Sequence, residues 1–205
     1  MILLFIYYML FIAHRINTVK ELKKIPINYG IEVDLRDNLN GDIYLAHDPF
    51  VKGELFDEYL KYYKHALIIL NIKSERIEYK ILELLKKYNI NNYFFLDSSF
   101  PMIYQLSMKG ERNIAIRYSE YESIESVLKM KDKVEWVWVD CFTKLPLDYN
   151  IYSLLLKNNF KLCLVSPELQ KHNINYIQKF KKQLQDNNII MDAICTKIYN
   201  IEKWL

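Results

Sequence analysis

Three short groups in the first fifty residues carry side chains able to work on a charged substrate: His14-Arg15, Glu32-x-Asp34 and His47-Asp48. Each follows or ends an apolar run, LFIA before His14, Gly30-Ile31 before Glu32 and IYLA before His47, which places them at strand ends rather than in mid-helix. Residues two apart in a strand share a face, so Glu32, Asp34 and Arg36 of IEVDLRD point one way and Ile31, Val33 and Leu35 the other. Two carboxylates about 7 Å apart on one face repel each other unless something positive lies between them. A hard divalent cation with oxygen ligands is the usual solution. A solvent-facing strand of alternating polar residues accounts for the same pattern, so on this stretch alone both readings stand.

The elements that must hold these groups follow a strand-then-helix rhythm. Strands are expected at residues 10–13, 30–35, 66–73, 92–97, 113–117, 135–140, 160–165 and 189–196, with a turn at Asn38-Leu39-Asn40-Gly41 and a returning short strand at 42–46. The run ALIILNIK is continuous and apolar, as a strand buried on both faces should be. Helices are expected at 56–63, at 75–88 capped by Ser74, from Pro101 to about 108, after a capping box of Ser119 and Glu122, at 147–158, at a start marked by Ser166-Pro167-Glu168, and at 174–184. Eight strands alternating with helices predict a single α/β domain over residues 1–205, a (β/α)8 TIM barrel with a small β-hairpin insertion after strand 2. Such a barrel keeps its chemistry at the C-terminal strand ends. Here those ends carry His14 and Arg15, Glu32 and Asp34, Asn71 and Lys73, Asp97, Arg117, Asp140, Ser166 and Glu168, and Thr196 and Lys197, with His47 from the insertion.

The order and spacing of His-Arg, Glu-x-Asp and His-Asp resemble the N-terminal signature of the glycerophosphodiester phosphodiesterase family, specifically over residues 9–73 and diffusely beyond. The resemblance implies a metal-dependent phosphodiester hydrolase. Glu32 and Asp34 would hold a divalent metal, Mg2+ or Ca2+, with Asn71 where the family has its third ligand glutamate and Asp97 or Asp140 as compensating ligands. His14 and His47 would be the catalytic acid and base. Arg15, Lys73 and Arg117 would bind phosphate, Arg117 in bidentate fashion. The expected substrate is a small phosphodiester or a phosphorylated sugar or lipid, which suggests lipid metabolism. Departures are plain: Ile16 stands where the family has Gly, the glutamate of a following Glu-Asn pair is missing near Asn17-Thr18, and Asn71 brings no charge. They keep open a second reading, a catalytically degenerate barrel that binds a phosphorylated ligand or glycan precursor.

With 28 basic and 25 acidic residues among 205, the net charge of +3 implies no nucleic-acid surface. The three cysteines are odd in number and lack metal spacing, and Cys163 and Cys195 sit in apolar runs, which fits a reducing cytoplasm. The thirteen residues before His14 are apolar but shorter than the roughly 20 needed to span a bilayer. Residues 1–8 read as an extension or an upstream-start artefact, with Met9 a natural start and a membrane role disfavoured. His65 and His172 belong to no motif and are expected at the surface.

Overall fold

The computed structural model describes residues 9–205. The expected extension at 1–8 lies outside the described residues.

The chain runs β1 (Leu10–Ala13), α1 (Val19–Leu22), β2 (Gly30–Asp37), β3 (Ile43–Leu45), α2 (Phe56–Leu60), β4 (Ile68–Ile72), α3 (Glu78–Lys87), β5 (Tyr93–Leu96), α4 (Phe100–Met108), β6 (Ala115–Tyr118), α5 (Ile124–Leu128), β7 (Trp136–Val139), α6 (Tyr149–Lys157), β8 (Lys161–Val165), α7 (Tyr176–Asp186), β9 (Ala193–Thr196) and α8 (Ile201–Trp204). Eight strands pair in parallel in the order β5-β4-β2-β1-β9-β8-β7-β6. A single bridge, Phe95 to Ile114, with Phe95 N–H donating to Asn113 O at 2.8 Å, draws the two outer strands together and nearly closes the ring. This is the (β/α)8 TIM barrel. The β3 strand is the expected insertion, antiparallel to β2 with Leu35 opposite Leu45 and Asp37 opposite Ile43.

Burial explains the strand composition. Every residue of β4 and β7 is buried, because one face packs into the barrel and the other under helices. Helices cover the outside with stripes at helical spacing: Ile81 and Leu85 on α3, and Ile177, Phe180 and Leu184 on α7. Gly30 sits where β1 and β2 approach closely; a Cβ there would lie 2.3 Å from Ile12 Cδ1.

Several helix boundaries differ from the sequence reading, for local reasons. The helix expected at 75–88 starts at Glu78, because Arg76 takes a left-handed φ of 66° that cannot continue a helix. Ser74 therefore caps nothing and instead accepts the Asp37 N–H at 3.4 Å. Ser119 and Glu122 do bond at 2.8 Å, but as a closed turn; α5 begins later, with Ser123 as its cap. Ser166-Pro167-Glu168 opens one turn of 3-10 helix, Pro167–Gln170.

Among the described residues no helix is long and apolar enough to cross a membrane. All three cysteines are unpaired and buried, and burial pushes each thiol well above its ordinary range. The native protein should therefore resist labelling by an aromatic disulfide reagent near pH 8, and all three thiols should react once it is unfolded in guanidinium.

Candidate active site

The C-terminal ends of the strands enclose a cavity of about 340 Å³. Of the residues the sequence singles out, His14, Arg15, Glu32, Asn71, Lys73, Asp97, Arg117 and Asp140 line it. Asp34 lies beneath, next to Glu32 on β2, and His47 stands beside the cavity on the loop after β3.

Glu32 and Asp34 are both 0% exposed, so the strand is not a solvent-facing one. Each of the four carboxylate oxygens has a protein donor. Glu32 Oε2 accepts the Arg15 backbone N–H at 2.7 Å, and Asp34 Oδ2 accepts Asn17 Nδ2 at 2.9 Å. Asn71 Nδ2 donates to both remaining oxygens, Glu32 Oε1 at 2.7 Å and Asp34 Oδ1 at 3.2 Å. The turn that supplies the first donor puts Arg15 at φ 56°, an uncommon conformation for a side chain with a Cβ. Asn17 works twice, since its Oδ1 also accepts the Asp34 N–H at 2.9 Å. Burial raises both acids above their ordinary range; for Asp34 the neighbouring Glu32 charge adds to it.

The two imidazoles have different partners. His14 is half-buried, with Nδ1 2.9 Å from Lys197 Nζ and Nε2 3.9 Å from Glu32 Oε2. Burial, followed by the charges of Lys197 and Arg15, lowers its pKa to about 3, so the ring is neutral. An ammonium can only donate, so Nδ1 carries the lone pair and Nε2 the proton. His47 Nδ1 instead meets Asp48 Oδ1 at 2.7 Å. Its loop is held by Arg36, whose guanidinium donates to His47 O at 2.9 Å and to Lys73 O at 2.8 Å, tying the insertion to the end of β4.

Across the cavity the expected phosphate ligands are engaged otherwise. Arg117 donates through Nε to Asp97 Oδ1 at 2.8 Å and through Nη1 to Asp140 Oδ2, so its bidentate fork is already filled by two carboxylates. Asp97 also pairs with Lys73 at 3.2 Å, and Asp140 accepts Gln170 Nε2 at 2.7 Å. Asp97 and Asp140 thus serve cations of the rim. Among the described residues no three His, Cys, Asp or Glu side chains cluster so as to hold a metal. His65, expected at the surface, is buried with Nε2 3.0 Å from Ile25 O, and burial lowers its pKa. His172 is half-buried, 2.9 Å from Cys141 O and stacked on Tyr176.

The sequence reading gave no role to Asn17, Arg36, Gln170 or Lys197. For Arg36 the signal was present, since it shares the face of Glu32 and Asp34; the other three act through contacts between the ends of neighbouring strands whose residues lie far apart in the chain.

No protein-family model matches the sequence, and no curated protein matches it. Solved structures do. A phosphodiesterase from Oleispira antarctica, in complex with the product sn-glycerol-3-phosphate, superposes with a TM-score of 0.70 at 14% identity, covering 95% of this chain and 96% of the other. A glycerophosphodiester phosphodiesterase from Agrobacterium tumefaciens does so with a TM-score of 0.67 at 13% identity, over 92% and 96%. A glycerophosphoryl diester phosphodiesterase from Parabacteroides distasonis gives 0.66 at 10% identity, over 95% and 85%. The chain therefore has the barrel fold shared by glycerophosphodiester phosphodiesterases.

Replacing Asn17 by Ala would leave the Asp34 N–H and one carboxylate oxygen without their partner. Urea denaturation in metal-free buffer should show a loss of about 1–3 kcal/mol, far more than Asn40→Ala in the exposed β2–β3 turn.

Proposed function

We propose that this chain is a divergent glycerophosphodiester phosphodiesterase, hydrolysing a small phosphodiester or a phosphorylated sugar or lipid conjugate. The observation that carries the reading is the buried Glu32–Asp34 pair beside His14 and Arg15, in a barrel whose solved counterparts include one holding sn-glycerol-3-phosphate. The barrel of residues 9–205 is taken to act as one domain, and the buried unpaired thiols suit a cytoplasmic setting.

In this reading Arg15 orients the phosphoryl group from the mouth of the cavity. His47, its Nδ1 proton held by Asp48, has Nε2 free to accept a proton from the attacking water. Neutral His14 keeps its Nε2 proton and donates it as a hydrogen bond to the oxygen that leaves phosphorus, stabilising the charge that develops there until solvent protonates it. Burial and the helices around the barrel keep bulk water from the acid pair, which strengthens every charge interaction there.

The donor set fits a divalent cation. The outer oxygens of Glu32 and Asp34 are tied back by Arg15 N–H and Asn17, as hydrogen-bond donors behind a metal site orient its ligands. Their inner oxygens converge on the Asn71 amide, whose own Oδ1 is buried without a partner. Turning that amide over would exchange its N–H2 for the unpartnered oxygen, giving two carboxylates and a carbonyl. Glu32, Asp34 and Asn71 would then hold Mg2+ or Ca2+, which when bound supplies Lewis-acid stabilisation of phosphoryl charge.

One observation favours a second reading. Asn71 brings no charge to the acid pair, and a rim of this kind could bind a phosphorylated ligand or glycan precursor without turnover.

Turnover of bis(p-nitrophenyl) phosphate with Mg2+, Ca2+ or Mn2+ tests the first reading. His14→Ala and His47→Ala should each lower kcat by about 100-fold or more. Activity untouched by both would remove the assignment, and no turnover with any metal would leave the binding reading.

Asn71→Asp removes the donor between the two acids and adds a third. Thermal unfolding in EDTA should place it several degrees below the wild type, and millimolar Mg2+ or Ca2+ should restore more of its stability than it adds to the wild type.

A further inference from the structure

We infer that Lys197 is the half-buried cation that receives the substrate's phosphoryl group, in place of Lys73 and Arg117. The inference rests on the reading of this rim as a phosphodiester site.

The case begins with where the cavity's positive charges are already committed. Arg117 lies between Asp97 and Asp140, and Lys73 pairs with Asp97 at 3.2 Å while standing 3.9 Å from Asp34 Oδ1. Both are neutralised by carboxylates, so an incoming phosphate would have to displace those partners. Lys197 is different. It lines the same cavity and is half-buried, yet among the described residues its Nζ forms no ion pair with a carboxylate; its contact is His14 Nδ1 at 2.9 Å. An ammonium held partly out of water whose side-chain contact is the His14 ring, with Glu168 bonded only to its backbone N–H, lacks a counter-charge in direct contact. A phosphoryl oxygen in the cavity would supply it.

Its position is fixed from beneath. Glu168 Oε1 accepts Thr196 Oγ1 at 2.6 Å, the Lys197 backbone N–H at 3.3 Å and Asn200 Nδ2 at 3.3 Å. Ser166, which bonds the other oxygen of Glu168, also accepts Trp204 Nε1 at 2.9 Å, so α8 locks the end of β9 to the turn after β8. Lys171, another cation of the cavity wall, is exposed and has no such support. The same contact that aims Lys197 also fixes His14 with its proton on Nε2, so one residue sets both the anion site and the tautomer beside it.

The test measures binding of inorganic phosphate and methyl phosphate by calorimetry, together with KM and kcat for bis(p-nitrophenyl) phosphate. The variants are Lys197→Met, Lys197→Arg and the distant exposed Lys131→Met as a control. Nitrogen NMR of the His14 ring gives a readout independent of binding and turnover. Lys197→Met should weaken phosphate at least about tenfold, the loss of one charge-assisted hydrogen bond. It should raise KM more than it lowers kcat and release His14 into a mixture of tautomers, whereas Lys197→Arg should restore most of the phosphate affinity. Phosphate affinity and KM within twofold of wild type in a folded Lys197→Met protein would overturn the inference while leaving the hydrolase reading intact. Phosphate binding that depends on Lys197 in a protein with no turnover would support the inference and remove the hydrolase reading. A wild type that binds neither phosphate would overturn it outright.

Discussion

Two carboxylates two residues apart on one strand, both closed off from water, impose the demand that the rest of this rim answers. Burying an ionised acid costs several kcal/mol, and two side by side cost more, so every oxygen must find a donor. The chain meets the demand with neutral N–H groups from two segments: the Arg15 backbone and the Asn17 side chain in the loop after β1, and Asn71 near the end of β4. Each such bond to a charged group is worth about 1.5–3 kcal/mol, enough in sum to keep the pair in place. The left-handed backbone at Arg15 belongs to the turn that brings its N–H onto Glu32.

The remaining charges sort themselves around that pair. Arg36 neither touches the acids nor faces substrate; it staples the β3 insertion to β4 and so holds His47 beside the cavity. Lys73, Asp97, Arg117 and Asp140 form an alternating chain of opposite charges along one wall, close to neutral as a whole. The opposite wall carries Arg15 and Lys197 with the carboxylate of Glu168, and burial first, then the two positive neighbours, keeps the His14 imidazole uncharged. One wall therefore has its cations ion-paired, while on the other the Lys197 ammonium touches an imidazole rather than a carboxylate, an arrangement suited to holding an anion by one side.

Helix boundaries and side-chain partnerships were the weak points of the sequence reading, and for related reasons. Arg76 carries no mark in the sequence that it will adopt a positive φ, so a helix seemingly capped by Ser74 loses its first turn. His65 belongs to no motif, yet the α1–β2 loop folds over it and supplies a carbonyl. Arg117 reads as a phosphate ligand from its place at a strand end, but two carboxylates from the strands on either side reach it first.

What the linear sequence determined was the strand-and-helix rhythm, the barrel, and the placing of His14, Glu32, Asp34 and Asn71 at one end of it. These rest on short-range regularities: a period of two along strands, a period near 3.6 along helices, and polar residues ending apolar runs. Which charges neutralise which was decided only by the closed barrel. Asp97, Arg117 and Asp140 are 20 or more positions apart in the chain, and Lys197 lies 183 positions from His14. Pairing of β9 against β1 sets Lys197 beside His14, the neighbouring ends of β5, β6 and β7 bring the other three together, and no local pattern in the chain encodes either contact.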